Sequence, residues 1–128
     1  MSAQPLRFRE HFLRPQRIGS LKAASSSGES ENVACGDWVR LELLCAGIRV
    51  QEARVQVRGC SATISCASLV AEAVEGLEVG AALTLDVRAL AAAAGASARD
   101  LSHAPAVVAR ALAAALEGAG RGSGAEPG

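Results

Sequence analysis

The sequence predicts a single α+β domain in which helices pack on one face of a small antiparallel β-sheet. Its length of 128 residues is that of one domain. Apolar and polar residues alternate across residues 37–58, as in a half-buried β-hairpin, and the hydrophobic spacing becomes helical after residue 60. Strands followed by a block of helices are typical of α+β architecture. We expect this domain to span residues 1–118 and a disordered, glycine-rich tail to follow at residues 119–128.

The beginning of the chain predicts a short amphipathic helix and then a loop. Within residues 5–17, Phe8 and Phe12 are four positions apart, so both rings are expected to pack against the body of the domain. Pro15 is expected to end this helix. Residues 24–32 contain no large apolar side chain, which predicts an exposed loop.

The alternation across residues 37–58 predicts two paired strands. Each strand presents an apolar face and a polar face, and Ala46 and Gly47 form the turn between them. The residues expected to face the core are Val39, Leu41, Leu43, Cys45, Ala53, Val55 and Val57.

Three helices are expected in the second half of the chain. Ser61 is placed to cap a helix that ends near Glu75. Residues 79–94 are rich in alanine and leucine and predict one helix over that range. Ser102 is the expected N-cap of a last helix, which starts at the next residue and ends near Glu117.

The composition excludes several classes of function. The 13 basic and 13 acidic residues balance, whereas a protein that neutralises nucleic-acid phosphates usually has a basic excess, so we expect no nucleic-acid partner. The apolar runs are shorter than the roughly 18 residues of a membrane span, so we expect no membrane partner. The first residues lack the apolar segment of a secretory signal, so we expect a cytoplasmic protein with reduced thiols.

Four side chains that can ligate a metal stand at the ends of predicted elements. Cys35 and Asp37 flank Gly36 at the entry to the first hairpin strand, and glycine permits the bend that turns both toward one ion. Cys60 lies at a strand-to-helix junction, where a helix N-terminus favours a thiolate. His103 stands at the start of the last helix. Because loops at element ends gather to form sites, these four residues are a candidate ligand set of two sulfurs, one oxygen and one nitrogen.

The other two cysteines have a structural interpretation. Cys45 continues the apolar alternation of the first hairpin strand, and Cys66 lies in the middle of a predicted helix, so both are expected to fill the core. Two other classes of protein stay open at this point. One is a disulfide-linked secreted module, which needs an oxidising compartment. The other is a hydrolase with Cys60 as nucleophile and His103 as base, although no oxyanion-hole motif accompanies them.

Four segments of the chain, taken in order, carry a family resemblance. They are FREHFLRPQRIGSL, ACGDWVRLEL, RVQVRGCSATISCASLVAEAVEG and LSHAPAVVARAL. Together they resemble the iron–sulfur cluster assembly scaffold family, which comprises IscU-like proteins and the NifU N-terminal domain. The resemblance covers residues 6–117 and implies the IscU/SufE-like version of the α+β fold. It also implies that Cys35, Asp37 and Cys60 occupy the family's ligand positions and that His103 matches the family's histidine.

The chain departs from the family pattern at two places. The family's third cysteine directly follows the histidine, and Ala104 stands there, which can neither bind a metal nor accept sulfur. The Leu-Pro-Pro-Val-Lys motif, which docks the family's Hsp70-type chaperone, is missing before His103. The resemblance therefore implies a divergent member without chaperone-driven release.

The resemblance implies a scaffold or carrier protein, not an enzyme. Such a protein transiently binds iron or a [2Fe-2S] cluster and transfers it to apo iron–sulfur proteins, with a cysteine desulfurase as the source of sulfur. Zn²⁺ suits the same ligands. The alternative is a degenerate paralogue that binds zinc and interacts with the desulfurase as a regulator. The sequence leaves open whether two copies form a homodimer that shares one cluster.

Overall fold

Three strands form one antiparallel sheet in the computed structural model, which describes residues 5–125 and the side chains of residues 5–119. The strands and helices, in chain order, are α1 (Phe8–Leu13), β1 (Ser26–Asn32), β2 (Asp37–Ala46), β3 (Arg49–Arg58), α2 (Ser61–Val74), α3 (Val79–Leu83), α4 (Val87–Ala93) and α5 (Ala104–Ala125). The strand order in the sheet is β1-β2-β3. The predicted α+β fold class is confirmed.

The sheet buries its apolar face against α2 and α5. β2 and β3 pair in antiparallel register as the predicted hairpin, and Val39, Leu41 and Leu43 are fully buried. Cys45 is only half-buried, because the register shifts between Leu44 and Cys45 and the alternation is lost there. The expectation that Cys45 fills the core is therefore only partly right, since this side chain packs at the edge of the core.

The prediction of a loop over residues 24–32 is wrong, because most of this segment forms the edge strand β1. β1 pairs with β2 in antiparallel register, with Gly28 opposite Leu41. An edge strand needs backbone pairing on one side only, and the fully buried residue of β1 is a glycine, so the segment shows no apolar alternation. α5 crosses β1 so closely at Gly28 that a Cβ there would overlap backbone atoms of Ala111 and Ala115.

The prediction of one helix over residues 79–94 is also wrong, because the chain is divided there into α3 and α4. Thr84 ends α3. Asp86 caps α4, since its Oδ1 accepts a hydrogen bond from the backbone N–H of Ala89 at 3.0 Å. Threonine and aspartate favour helix ends over helix interiors because their side chains compete for backbone hydrogen bonds. Two polar residues thus interrupt a segment whose composition is otherwise helical.

α5 extends well beyond its predicted end near Glu117. It continues to Ala125, so the first part of the predicted disordered tail is helical. Glycine lowers helix propensity without ending a helix that is packed on one side, and Gly118 lets α5 pass close to β1. Residues 1–4 and 126–128, which the sequence assigns to the domain and to its tail, lie outside the described residues. Of the helices that the structure describes, none has the length and apolar character needed to cross a membrane.

α1 is held against α2 by one aromatic ring and one histidine. Phe8 is buried, whereas Phe12 stays 43% exposed, so only one of the two predicted rings docks fully. His11 is fully buried, and its Nδ1 lies 2.7 Å from Ser68 Oγ on α2. Burial lowers the pKa of His11, because the charged ring would lose its hydration. A neutral imidazole therefore joins the two helices.

Candidate metal centre

The four predicted ligands come from three segments that meet at one end of the sheet. Cys35 lies in the turn between β1 and β2, and Asp37 begins β2. Because β2 and β3 are antiparallel, the start of β2 lies beside the end of β3, where Cys60 leads into α2. His103 is the last residue before α5. The topology of the sheet thus brings together residues that are distant in sequence.

Asp37 and Cys60 are joined by a hydrogen bond that fixes the strand-to-helix junction. Asp37 is 1% exposed, and its Oδ1 accepts from the backbone N–H of Cys60 at 3.0 Å. Gly59 has a φ of 146° and approaches Asp37 so closely that a Cβ would overlap Oδ1. Cys60, and not Ser61 as predicted, occupies the N-cap position of α2. The residue before this candidate ligand must therefore be glycine.

His103 faces both Asp37 and Cys60. Its Nε2 is 3.4 Å from Asp37 Oδ2 and 3.3 Å from Cys60 Sγ. The ring nitrogen therefore lies within 3.4 Å of both a carboxylate oxygen and a sulfur. Nε2 is the atom through which His103 can ligate a metal.

The Ser102 hydroxyl contacts the ring nitrogen of His103 that faces away from the other candidate ligands. Ser102 ends a 3₁₀ turn (Asp100–Ser102), and α5 starts at Ala104. The prediction that Ser102 is the N-cap of α5 is therefore wrong. Ser102 Oγ donates to the carbonyl oxygen of Arg99 at 2.8 Å and lies 3.1 Å from His103 Nδ1. While its single hydrogen is donated to the Arg99 carbonyl, the hydroxyl accepts from Nδ1–H. The lone pair is then on Nε2, which faces the other candidate ligands.

Three of the four candidate ligand atoms form a compact donor set, and the fourth, that of Cys60, lies beside it. Those of Cys35, Asp37 and His103 all lie within 4.8 Å of one another, and Cys60 joins them through its contact with His103. Asp37 Oδ2 is buried without a hydrogen-bond partner among the described residues, and His103 Nε2 lies 3.4 Å from it. A buried carboxylate oxygen without a donor is costly unless a cation faces it. Two sulfurs, one nitrogen and one oxygen fit iron or zinc.

Cys66 does not replace the missing third cysteine. Its side chain is fully buried in α2, as predicted, and burial raises its pKa to about 12. A raised pKa lowers the thiolate fraction, so this thiol is a poorer metal ligand and nucleophile than the exposed Cys35 and Cys60. Cys45 lies near the opposite end of β2 from Asp37, and burial raises its pKa as well.

We expect an alkylating reagent to divide the thiols of the metal-free protein into fast and slow classes. Cys35 and Cys60 are exposed and should react while Cys66 stays unmodified, because Cys66 is inaccessible and protonated. Cys45 is half-buried and should react more slowly than the exposed pair. Mass spectrometry of peptides sampled over time gives the order, and protein unfolded in urea gives the intrinsic rates. Equal labelling of all four thiols in folded protein would contradict these placements.

Thr63 also belongs to this site, although the sequence pattern does not single it out. It is fully buried, and its Oγ1 is 3.4 Å from Cys60 Sγ. The signal that could have identified it is the i, i+3 spacing from Cys60, which places both side chains on one face of the first turn of α2. The role of Ser102 was missed for a similar reason, since a serine before a helix suggests a cap before it suggests a partner for the neighbouring histidine.

A known protein family matches nearly all of the described chain. The profile of the NifU-like N terminal domain covers residues 7–119. The chain belongs to this family. Among its curated NifU-type relatives, the bifunctional protein NifU/MnmA of Rubrobacter xylanophilus is 41% identical over 71 residues, which are 55% of this chain and 14% of that protein. The iron-sulfur cluster assembly scaffold protein IscU 1 of Archaeoglobus fulgidus is 28% identical over 107 residues, which are 84% of this chain and 70% of that protein.

One further relative and one solved structure complete the comparison. The zinc-dependent sulfurtransferase SufU of Bacillus subtilis is 30% identical over 76 residues, which are 59% of this chain and 51% of SufU. The crystal structure of a nitrogen-fixing NifU-like protein (N-terminal) from Brucella abortus superposes with a TM-score of 0.66 at 19% identity, covering 90% of this chain and 92% of that one. This likeness shows that the NifU-family chain shares that fold. The chain spans a small part of NifU/MnmA and about half of SufU.

Proposed function

We propose that this NifU-family chain is a scaffold or carrier that holds iron or a [2Fe-2S] cluster as its cargo and passes it to apo-proteins. The observation that carries the proposal is the convergence of Cys35, Asp37, Cys60 and His103 at one end of the sheet. Four donors suffice for one [2Fe-2S] cluster, two for each iron. The proposed role is that of a carrier and not of an enzyme that turns over a substrate.

The donors differ in how firmly they hold this cargo. Cys35 and Cys60 supply thiolates, the ligands that iron–sulfur clusters prefer. His103 supplies a neutral nitrogen whose orientation its serine neighbour fixes. Asp37 supplies a carboxylate oxygen, which binds a soft sulfur-bridged iron less firmly than a thiolate does. Asp37 is therefore the ligand that keeps the cargo exchangeable.

The proposal requires partners that deliver sulfur and receive the cluster. A cysteine desulfurase is the proposed source of sulfur, and the exposed thiols of Cys35 and Cys60 are the groups that accept it. Apo iron–sulfur proteins are the proposed recipients. We place this work in the cytoplasm, where thiols stay reduced. Because one chain supplies all four donors, the proposal needs no second copy.

A second candidate function is favoured by Ala104. This residue stands where the family resemblance implies a third cysteine, so the site has fewer thiolates than a cluster scaffold is expected to have. Zn²⁺ accepts two sulfurs, one nitrogen and one oxygen in tetrahedral coordination. The relative SufU is named a zinc-dependent sulfurtransferase. In this alternative the chain binds zinc and acts on a cysteine desulfurase as a regulator.

Metal and sulfide analysis distinguishes the two functions. We expect protein purified without oxygen to contain iron and acid-labile sulfide, or to take them up on reconstitution with ferrous iron and sulfide. Trp38 is the single tryptophan and directly follows Asp37, so its fluorescence should be quenched as the coloured cluster binds. One equivalent of zinc without sulfide would instead support the regulator.

Two cysteine variants provide the matched comparison for this experiment. Cys60→Ser removes a proposed ligand, whereas Cys45→Ser removes a thiol near the opposite end of β2 from Asp37. We expect Cys60→Ser to lose both the cluster absorption and the quenching of Trp38, and Cys45→Ser to retain both. If Cys60→Ser binds as much cluster as the wild type, the site assignment is wrong.

A further inference from the structure

Thr63 is a polar side chain buried directly beside the candidate ligand Cys60. It is fully buried and lies three residues after Cys60, in the first turn of α2. Buried hydroxyl groups nearly always have a hydrogen-bond partner. Among the described residues, the partner of this hydroxyl is Cys60 Sγ, with Oγ1 and Sγ 3.4 Å apart. The hydroxyl therefore points at the sulfur of a candidate ligand.

Metal binding by the Cys60 sulfur decides the direction of this hydrogen bond. In the metal-free protein either atom can donate. A thiolate on a metal has no proton and can only accept, so the Thr63 hydroxyl must then be the donor. His103 Nε2 also faces this sulfur, at 3.3 Å, but a ring nitrogen that itself ligates the metal carries no proton. Of these two neighbours, Thr63 is the one that can donate to the metal-bound thiolate.

We propose that Thr63 is a positioning residue whose hydroxyl holds the Cys60 thiolate in place for the metal. The inference rests on the proposed function, because it requires Cys60 to be a ligand. A hydrogen bond to a ligating sulfur withdraws electron density from it and alters its bond to the metal. Thr63 is buried, so water does not take over the hydrogen bond when the hydroxyl is removed. Ser102, by contrast, is exposed, and water can replace its hydroxyl.

Two substitutions separate this hydrogen bond from the packing of the side chain. Thr63→Val keeps the branched shape and removes the hydroxyl, whereas Thr63→Ser keeps the hydroxyl and removes a methyl group. Co²⁺ added to the metal-free protein reports on the sulfur through its sulfur-to-cobalt charge-transfer band. Competition with a coloured chelator measures the affinity for Zn²⁺.

We expect Thr63→Val to shift the charge-transfer band to longer wavelength, because a thiolate without the hydrogen bond gives up an electron more easily. The same variant should bind Zn²⁺ about tenfold more weakly. Thr63→Ser should match the wild type in both measurements. In a Cys60→Ser background, Thr63→Val should no longer shift the band, since the sulfur that it acts on is gone.

The proposal is overturned if Thr63→Val keeps the band and the affinity of the wild type. It is also overturned if Thr63→Ser departs from the wild type as far as Thr63→Val does, because that pattern indicates a packing role. Thermal unfolding of each metal-free variant tests its fold, and Thr63→Ala takes the place of Thr63→Val if the latter is unfolded. A wild type without any sulfur-to-cobalt band overturns the proposed function and this inference together. A normal band with unaffected variants overturns the inference alone.

Discussion

Ala104→Cys is expected to lengthen the lifetime of a bound [2Fe-2S] cluster by about tenfold or more, because it adds a third thiolate next to His103. Although Ala104 is the first residue of α5, it is fully buried, so there is little room for a larger side chain. The core must make room for the sulfur, which we expect to lower the free energy of unfolding by about 1–3 kcal/mol. The decay of visible absorption in the presence of a chelator measures the lifetime, and urea unfolding measures the change in stability.

Ala106→Cys is the matched control for this experiment. Ala106 lies in the same turn of α5 as Ala104 but is exposed, so it adds the same thiol without placing it beneath His103. We expect the control to leave the cluster lifetime unchanged. Equal lengthening in both variants would show that any added thiol suffices. An unchanged lifetime in folded Ala104→Cys would favour the zinc-binding alternative.

Gly28→Ala should lower the free energy of unfolding by about 3 kcal/mol, at the upper end of the usual cost of overpacking. The added Cβ would overlap the carbonyl oxygen of Ala111 and the backbone nitrogen of Ala115. Backbone atoms cannot turn aside as a side chain can, so α5 must move away from β1 as a unit. Urea unfolding followed by far-ultraviolet circular dichroism measures the loss.

Gly80→Ala is the control for the general effect of replacing glycine. Gly80 lies in α3, and a Cβ there would meet no atom within 4 Å. Because alanine favours the helix, this change should raise the free energy of unfolding by about 0.5–1 kcal/mol. If the two variants are equally stable, α5 does not approach β1 as closely as described.

The paired strands β2 and β3 were predictable, whereas β1 and the break between α3 and α4 were missed. The hairpin of β2 and β3 follows from side chains such as Leu41 and Leu43, which alternate because one face of the sheet is buried. β1 has no such pattern, because its contact with α5 is made through the backbone at Gly28. The break between α3 and α4 depends on the capping side chain of Asp86, a local signal that the alanine-rich composition hides.

The candidate ligands were predictable for a different reason. Cys35, Asp37, Cys60 and His103 stand at element ends, and the antiparallel sheet brings those ends together. The contact of Thr63 with Cys60 was not predictable, because a buried threonine in a helix usually has a packing role. It depends on a distance between two side chains that only the folded turn defines.

The contact at Gly28 also has an evolutionary consequence. β1 leads directly to the turn that carries Cys35, and α5 begins directly after His103, so the two elements joined at this glycine hold two of the candidate ligands. In a lineage that acquires a larger residue at position 28, α5 must change as well. Otherwise α5 is displaced and the distance between Cys35 and His103 changes. Substitutions at position 28 and on the facing side of α5 should therefore arise as pairs. The distance between two candidate ligands thus depends on Gly28, which is not itself a candidate ligand.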